Sequence, residues 1–491
     1  MRQMWLWVVF SLLYFPAVLT SAFTKELWFD ELVSVYVDRL PDLGSVWHAL
    51  ADSADAMPPL FHIATRASHA AISDEATAAR LPGAIGYWVA CLAAWIFLRR
   101  RMSAAYAWCA VAVMLLPGPF YFATEGRAYG MVLGFSGLML LCWQRCIGPE
   151  RRPWHPLGLA VFLCCAVSSH YFAVFLTMPL SLAESYRMGS SYGGRKRCDW
   201  PVLAAIGSAF IPVVFHLPLI RAADIYRADM FVAPKLIDGF RFYSDIVSGV
   251  GLALVAALVS AAVMTWWKPE ETHAAEPDGL FAVETVMAIG FLLIPLAVLA
   301  SSLLVTGMFY PRYALTAMFG LMLAASELLR RLCPGRRAVA GTFSAVLLLV
   351  AGAQRGLDIS SKWKQLPTVE EMAETARLTN GPVVVEEAFD YIRAFYYAPP
   401  ELASRLWYVS DAKAAMALTG LGNPDLGLDK LRPYGGFNLG SRERFVEQPM
   451  TFYLLVNPAR LGWLLGELER TRAHVELSAR LPRHWLMKVT R

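Results

Sequence analysis

The sequence lacks the short motifs that mark many metal and nucleotide sites. It has no CxxC…CxxC or histidine-rich pattern with metal-ligand spacing, and no GxGxxG or Walker motif after residue 354. It also has no internal repeat and no low-complexity tract. Candidate functional residues must therefore be sought at dispersed positions.

Cysteine is absent from the segments that we expect to be exported. Each cysteine falls in a predicted membrane span or in a loop assigned to the cytoplasm, so we expect no structural disulfide. The eight cysteines are Cys91, Cys109, Cys142, Cys146, Cys164, Cys165, Cys198 and Cys333.

Apolar residues are abundant and continuous. The 491-residue chain is 57% hydrophobic, with a mean hydropathy of +0.45. Apolar runs of about 18–25 residues recur, long enough to cross roughly 30 Å of hydrocarbon. They predict an α-helical polytopic membrane protein, because a β-barrel would show alternation instead. The net charge of +5 comes from basic residues in short loops, which is the positive-inside pattern and not a nucleic-acid patch.

The basic loops predict a topology of about 11 spans. Arg99, Arg100 and Arg101 fix the cytoplasmic side, with the N-terminus inside and the C-terminus outside. We expect an integral protein of the bacterial inner or plasma membrane. The predicted spans are residues 4–23, 81–98, 104–122, 129–146, two short helices within 157–186 that meet at His170, 202–219, 251–267, 281–305, 314–329 and 339–353.

The hydropathy changes after the last span. Short strands are predicted at 383–387, 406–410, 451–457 and 484–489, and helices at 369–378, 411–418 and 461–471. This alternation indicates a small α/β domain. The predicted domains are a transmembrane part, 1–353, and an extracytoplasmic α/β part, 354–491.

The first outer loop, residues 24–80, carries an acidic pair, Asp30 and Glu31. Apolar and polar residues alternate from Asp30 to Asp38, which suits a short helix along the membrane surface. A second helix fits 43–51, and Pro59 can begin a third. The pair alone would also fit a solvated loop start or the capped end of a helix.

Other polar residues lie at the predicted span ends. They are Glu125, Arg127, His170, Arg312 and Tyr313. The topology, drawn from the basic loops alone, places all of them on the outer side with Asp30. Each alone has a simpler explanation, such as a snorkelling arginine or a packing histidine, but ionisable groups at span ends tend to face a cavity.

A carboxylate near two guanidiniums suits one kind of chemistry. Arginine binds phosphate through paired, charge-assisted hydrogen bonds, and a carboxylate can take the proton of an attacking hydroxyl. Together they fit displacement of a phosphate by an alcohol. At an anomeric carbon this is glycosyl transfer with inversion, by single displacement with one base.

An ordered set of motifs resembles the GT-C superfamily of integral-membrane glycosyltransferases. The similar branch contains the protein O-mannosyltransferases, the lipid A aminoarabinose transferases and the rhizobial galacturonosyltransferases. The motifs are Asp30-Glu31, Pro58-Pro59-Leu60-Phe61, Glu125-x-Arg127-x-Tyr129, the His170 turn and Arg312-Tyr313. The resemblance covers residues 1–353.

The resemblance implies a donor sugar on a polyprenyl phosphate and a hydroxyl acceptor on a glycan, lipid or protein. It implies Asp30 as general base, and Glu31 as a residue that shapes the pocket or holds the acceptor. The implied phosphate-binding residues are Arg127, Arg312, Tyr313 and His170, and the implied pocket residues are Glu125, Tyr129, Pro58 and Pro59. Met57 departs from the family, in which many members have histidine or lysine before the paired prolines.

We expect no required cofactor. A divalent metal is an open alternative, because Asp30, Glu31, Glu125 and His170 could form a site, but no ligand spacing demands one and we expect none to be bound. Two other functions stay open. One is a transporter or flippase of lipid-linked sugars, which would more often show repeated halves and broken helices at the bilayer midplane. The other is a non-catalytic envelope assembly protein that keeps the fold.

Overall fold

The computed structural model describes residues 2–190, 198–227, 234–247, 259, 263, 279–307, 309–362, 367–420, 422–460 and 462–491. The chain forms two compact units. The membrane unit contains Met1–Phe23, Ala67–His216 and Pro234–Trp363, and the loop–sheet unit contains Thr24–Arg66, Leu217–Ala233 and Lys364–Arg491. Much of the first outer loop thus shares a unit with the C-terminal residues. The division predicted from the sequence, at residue 354, assigns that loop to the transmembrane part.

The membrane unit is helical throughout its described part. Its α-helices are Arg2–Thr24, Glu75–Arg99, Ala104–Met114, Pro117–Phe120, Tyr129–Ile147, Trp154–Ser169, Thr177–Gly189, Trp200–Gly207, Phe210–Phe215, Asp238–Val247, Ala282–Leu292, Ile294–Ser301, Met318–Leu332 and Arg337–Lys362. Shorter turns of 3₁₀- or π-helix are Tyr121–Thr124, Tyr171–Leu176, Ser302–Thr306 and Pro311–Ala317.

Six described helical segments are long and apolar enough to cross a membrane, or eight if each of two bent pairs counts as one span. The predicted polytopic α-helical class is therefore confirmed. The predicted count of about 11 stays a prediction, because the predicted span 251–267 lies outside the described residues apart from 259 and 263.

Residues 157–186 form two helices, as predicted. Trp154–Ser169 ends at His170, whose backbone is extended (φ −158°, ψ 124°). A 3₁₀ turn, Tyr171–Leu176, follows and leads directly into Thr177–Gly189. His170 therefore lies at the junction of Trp154–Ser169 with the turn that leads to Thr177–Gly189, and not on the face of a continuous helix.

Glycine lets Glu75–Arg99 and Tyr129–Ile147 approach until their backbones touch. A Cβ at Gly134 would lie 2.6 Å from the Gly86 carbonyl oxygen, too close for any side chain. A Cβ at Gly83 would lie 3.2 Å from the Glu125 carbonyl oxygen. This close packing fixes the turn that carries Glu125 and Arg127, because the turn connects directly to one of the two helices.

At the other end of these two helices a buried polar network connects them to a third helix, Ala282–Leu292. Arg101 Nε donates to both carboxylate oxygens of Glu284 at 2.8 Å, and Gln144 Nε2 donates to Glu284 Oε1 at 3.0 Å. Gly279 N donates to the Arg101 carbonyl oxygen at 3.2 Å. Gly279 therefore lies at the same end of the unit as the basic triplet, as the predicted topology requires.

The loop–sheet unit contains a six-stranded sheet. The strands are β1 Val383–Val385, β2 Leu406–Val409, β3 Leu439–Gly440, β4 Thr451–Val456, β5 His474–Arg480 and β6 Trp485–Thr490. Their order in the sheet is β3-β2-β1-β4-β6-β5. β1, β2, β3 and β4 are parallel, and β6 is antiparallel to β4 and to β5. The four predicted strands are confirmed, whereas β3 and β5 were not predicted.

Helices and short turns surround this sheet. They are Leu217–Ala222, Ala223–Arg227, Pro367–Leu378, Ala388–Tyr397, Pro400–Ala403, Ala412–Thr419, Asn423–Gly435, Glu443–Glu447 and Trp463–Arg470. The three predicted helices of this region are confirmed near their predicted bounds. Ala388–Tyr397 and Asn423–Gly435 were not predicted.

The first outer loop forms the three expected helices: Phe29–Asp38, Leu43–Ala51 and Pro59–Ala71. Every residue of the first helix from Glu31 to Asp38 is buried. Among them, Ser34 and Asp38 bind partners inside the loop–sheet unit.

Candidate functional site

The membrane unit brings six predicted site residues together. Glu125 and Arg127 lie in the turn before Tyr129–Ile147. His170 lies at the break that follows Trp154–Ser169. Arg312 and Tyr313 lie in the 3₁₀ turn Pro311–Ala317. All three irregular segments meet around Tyr129. Its ring centroid lies 5.3 Å from that of His170 and 6.0 Å from the Arg312 guanidinium carbon.

His170 is held in one orientation. Phe172 N donates to its Nδ1 at 3.4 Å, so the neutral ring carries its proton on Nε2. The Tyr313 ring lies 5.2 Å away and itself stacks on Phe172 at 4.4 Å. An imidazole that accepts this hydrogen bond at Nδ1 is neutral and can donate a hydrogen bond from Nε2.

Arg127 is buried and Arg312 is half-buried. Arg127 is 8% exposed and Glu125 is 1% exposed. The guanidinium carbon of Arg312 lies 4.8 Å from the Tyr310 ring centroid, a contact that holds a planar cation against an aromatic face. Guanidinium groups suit the binding of a doubly charged oxyanion such as a phosphate monoester, because their paired donors match its oxygens.

Asp30 and Glu31 lie in the loop–sheet unit and differ in environment. Glu31 is fully buried, and its Oε2 accepts a hydrogen bond from Trp28 N at 3.2 Å, which satisfies a backbone donor at the start of Phe29–Asp38. Asp30 is only half-buried. Of the pair, Asp30 is therefore the carboxylate that solvent or a substrate can reach.

A buried network fixes the helix that carries Asp30. His62 Nδ1 lies 2.7 Å from Asp38 Oδ1, and its Nε2 lies 3.7 Å from Asp55 Oδ2. Ser34 Oγ donates to Asp55 Oδ2 at 2.6 Å, and Met57 N donates to Asp55 Oδ1 at 3.1 Å. His62 thus lies between Asp38, where the segment after Phe29–Asp38 begins, and Asp55, near the end of that segment.

Sequence reasoning missed His62, although a signal was present. Pro58 is buried, and Pro59 opens the helix Pro59–Ala71, which confirms Pro59 as a helix start. His62 then lies one turn inside that helix, on its buried face. The paired prolines therefore set the direction from which His62 enters the network. Whether Pro58 and Pro59 also line a substrate pocket stays a prediction.

Within the described part of the chain, no group of three or more His, Cys, Asp or Glu side chains is arranged to hold a metal ion. The described cysteines are all free thiols.

Comparisons with known proteins identify the fold. The chain matches no protein-family model, and no curated protein is significantly similar to it in sequence. It is similar in structure to ArnT from Cupriavidus metallidurans, in the apo state and bound to undecaprenyl phosphate. Each comparison gives a TM-score of 0.62 and 13% identity, and covers 99% of this chain and 98% of ArnT.

This likeness extends over both units and fixes the fold. The chain has the fold of ArnT, and ArnT is a membrane glycosyltransferase of the GT-C superfamily. The resemblance inferred from the ordered motifs is therefore confirmed at the level of the fold.

Proposed function

We propose that the protein is an integral-membrane glycosyltransferase that moves a sugar from a polyprenyl phosphate to a hydroxyl acceptor. The observation that carries the proposal is the cluster of Arg127, Arg312 and neutral His170 around Tyr129. Two guanidinium groups and an imidazole N–H donor suit a phosphate that gains charge as it leaves. The similar protein ArnT has been crystallised with undecaprenyl phosphate, which supports the same class of lipid carrier here.

In this proposal the arginines stabilise the leaving group. As the bond between the anomeric carbon and the phosphate oxygen breaks, the lipid phosphate becomes a dianion. Arg127 and Arg312 donate paired hydrogen bonds to its oxygens. His170, whose proton is on Nε2, adds a neutral hydrogen-bond donor to the dianion. Tyr313 and Tyr129 hold the ring of His170 in place.

Asp30 acts as the general base in this reaction. The acceptor hydroxyl oxygen attacks the anomeric carbon from the face opposite the phosphate, and its proton passes to the Asp30 carboxylate. One displacement inverts the configuration and requires no second carboxylate. Glu31 shapes the segment by stabilising the helix start. We propose a hexose or pentose as the transferred sugar, since one base and one phosphate site suffice for either.

We propose that this chemistry takes place outside the cytoplasm. The basic triplet ending at Arg101 marks the cytoplasmic end of the membrane unit by the positive-inside rule. Glu125, Arg127, His170 and Arg312 belong to the other ends of its helices. Reporter fusions at residues 124 and 148 test this orientation. An extracytoplasmic signal at 124 and a cytoplasmic one at 148 are expected, and the reverse pair would overturn it.

The decisive experiment is replacement of Asp30 in a strain that lacks the native copy. The glycan profile of the deletion strain first identifies the sugar that disappears. Asp30→Asn should lower its restoration at least 100-fold while membrane insertion is normal, because the amide cannot take a proton.

Asp42→Asn is the matched control. It lies in the same loop, is exposed, and caps helix Leu43–Ala51 through Ser45 N, a role that asparagine also performs. It should restore the glycan fully. Full restoration by Asp30→Asn would remove Asp30 from the mechanism, and an unchanged glycan profile in the deletion strain would overturn the proposed function.

A further inference from the structure

The segment that leads into Asp30 is bound, through the carboxylate of Glu26, to the C-terminal part of the loop–sheet unit, Lys364–Arg491. Glu26 Oε1 accepts from Thr368 N at 2.8 Å, and Glu26 Oε2 accepts from Thr368 Oγ1 at 2.7 Å and from Arg483 Nη1 at 3.3 Å. The Glu26 side chain is 8% exposed. Thr368 N is one of the donors at the start of Pro367–Leu378 that have no partner within their own helix, so Glu26 caps that helix with a negative charge.

Aromatic contacts continue this attachment along the helix that carries Asp30. Leu27 N donates to the Tyr397 hydroxyl at 2.8 Å. The Phe29 ring meets Phe389 edge-on, with centroids 4.7 Å apart. Contacts at Leu27 and Phe29 therefore hold the chain from Glu26 up to the residue before Asp30.

The far end of the same helix is attached as well. The Tyr36 ring lies 4.8 Å from Phe437, edge-on, and the Arg39 guanidinium carbon lies 5.2 Å from the Tyr396 ring centroid. Both partners belong to the C-terminal part of the loop–sheet unit. Asp30 and Glu31 thus lie between two sets of contacts, both made by residues more than 300 positions later in the chain.

A base that receives a proton in the transition state must be placed to within a fraction of an ångström, and a displacement of about 1 Å can cost about 100-fold in rate. We propose that Glu26 is a positioning residue for Asp30, with Thr368 and Arg483 as its partners, so that the C-terminal domain helps to orient the base. This inference rests on the proposed function. It assigns a role in the reaction to a domain in which the sequence shows no catalytic motif.

The sharpest test is Glu26→Gln. Glutamine preserves shape but removes the charge and turns an N–H₂ group toward donors on Thr368 and Arg483. Restoration of the glycan should fall about tenfold. Binding of undecaprenyl phosphate by the purified full-length protein should change less than twofold, because phosphate binding is assigned to residues elsewhere in the chain.

Conservative variants separate positioning from simple loss of structure. Thr368→Ser keeps the hydroxyl and should keep transfer, whereas Thr368→Val should reduce it as Glu26→Gln does. Glu26→Gln combined with Arg483→Gln should be no worse than Glu26→Gln alone, since both remove one interaction. Glu370→Gln, an exposed carboxylate two residues after Thr368, is the matched control and should behave as wild type.

Asp30→Asn is measured in parallel, so that the two proposals fail differently. Loss of transfer in Asp30→Asn with wild-type transfer in Glu26→Gln overturns the positioning role only. Wild-type transfer in Asp30→Asn removes Asp30 from the mechanism, and an unchanged glycan profile in the deletion strain overturns the proposed function. If Glu26→Gln lowers the melting temperature and the amount of folded protein, but transfer per folded molecule equals wild type, the role of Glu26 is structural and the positioning proposal is wrong.

Discussion

His62 Nδ1 lies 2.7 Å from Asp38 Oδ1, and both side chains are buried. Asp38 is the last residue of Phe29–Asp38, so this pair fixes the end of the helix opposite Asp30. Asp55, on the other side of the imidazole, binds Ser34 in the middle of the same helix. The helix is therefore held by polar contacts that admit one arrangement, in addition to apolar packing.

Replacement of His62 tests this network. His62→Ala leaves two buried carboxylates without their shared partner, which typically costs about 3–5 kcal/mol. We expect a lower melting temperature and at least a tenfold loss of transfer per folded molecule. His48→Gln is the control, because His48 is exposed on the neighbouring helix Leu43–Ala51. Wild-type stability in His62→Ala would show that the network contributes little.

Close glycine packing behind the Glu125–Arg127 turn gives a second prediction. Gly134→Ala places a methyl group against the Gly86 backbone, and overpacking of this kind typically costs about 1–3 kcal/mol. Stability and transfer should both fall. Gly207→Ala is the control, since nothing lies within 4 Å of a Cβ there, and alanine should slightly favour its helix. Equal melting temperatures of the two variants would contradict the packing described above.

The phosphate-binding role of the arginines predicts that charge alone is insufficient. Lysine at position 127 or 312 keeps the charge but loses the paired donors, and at position 312 it also loses the contact with the Tyr310 ring. Arg127→Lys and Arg312→Lys should each weaken binding of undecaprenyl phosphate about tenfold, as measured by titration of the purified protein. Arg241→Lys, on the exposed side of Asp238–Val247, should bind normally. Unchanged affinity in both site variants would exclude a bidentate phosphate contact.

Much of this architecture could be predicted because local signals were strong. Pro59 fixed a helix start, and the basic residues after residue 186 required two short helices where length alone allowed one. The ordered site residues from Glu125 to Tyr313 followed from the resulting topology. Each of these inferences used either a local backbone constraint or a charge rule that acts on single loops.

The missed elements depend on contacts between distant residues. β5, His474–Arg480, is a mostly exposed edge strand with charged residues, so it lacks an apolar signature. β3 has two residues. The pairing of His62 with Asp38 joins positions 24 apart, and the pairing of Glu26 with Arg483 joins positions 457 apart. No periodicity or spacing in the sequence records such pairs.

A pH-dependent contribution to stability is expected from His484, immediately before β6. Its ring nitrogens lie 3.0 Å from Glu371 Oε2 and 3.3 Å from Asp390 Oδ2. Burial alone would lower the pKa of His484, but the hydrogen bonds and charges of the two carboxylates outweigh it and raise that pKa to about 9. The folded state therefore binds this proton more tightly than the unfolded chain, in which histidine titrates near 6.5.

Linkage then fixes the sign of the effect. The stabilisation from protonated His484 is complete below about pH 6.5 and is lost as the pH rises through about 9. His484→Gln should lower the melting temperature of the full-length protein clearly at pH 6 and much less at pH 9.5. His474→Gln, which alters an exposed histidine of β5, should show no such difference. A melting-temperature gap for His484→Gln that stays constant from pH 6 to 9.5 would mean that the ring is neutral in the folded protein, and that the two carboxylates hold it without its charge.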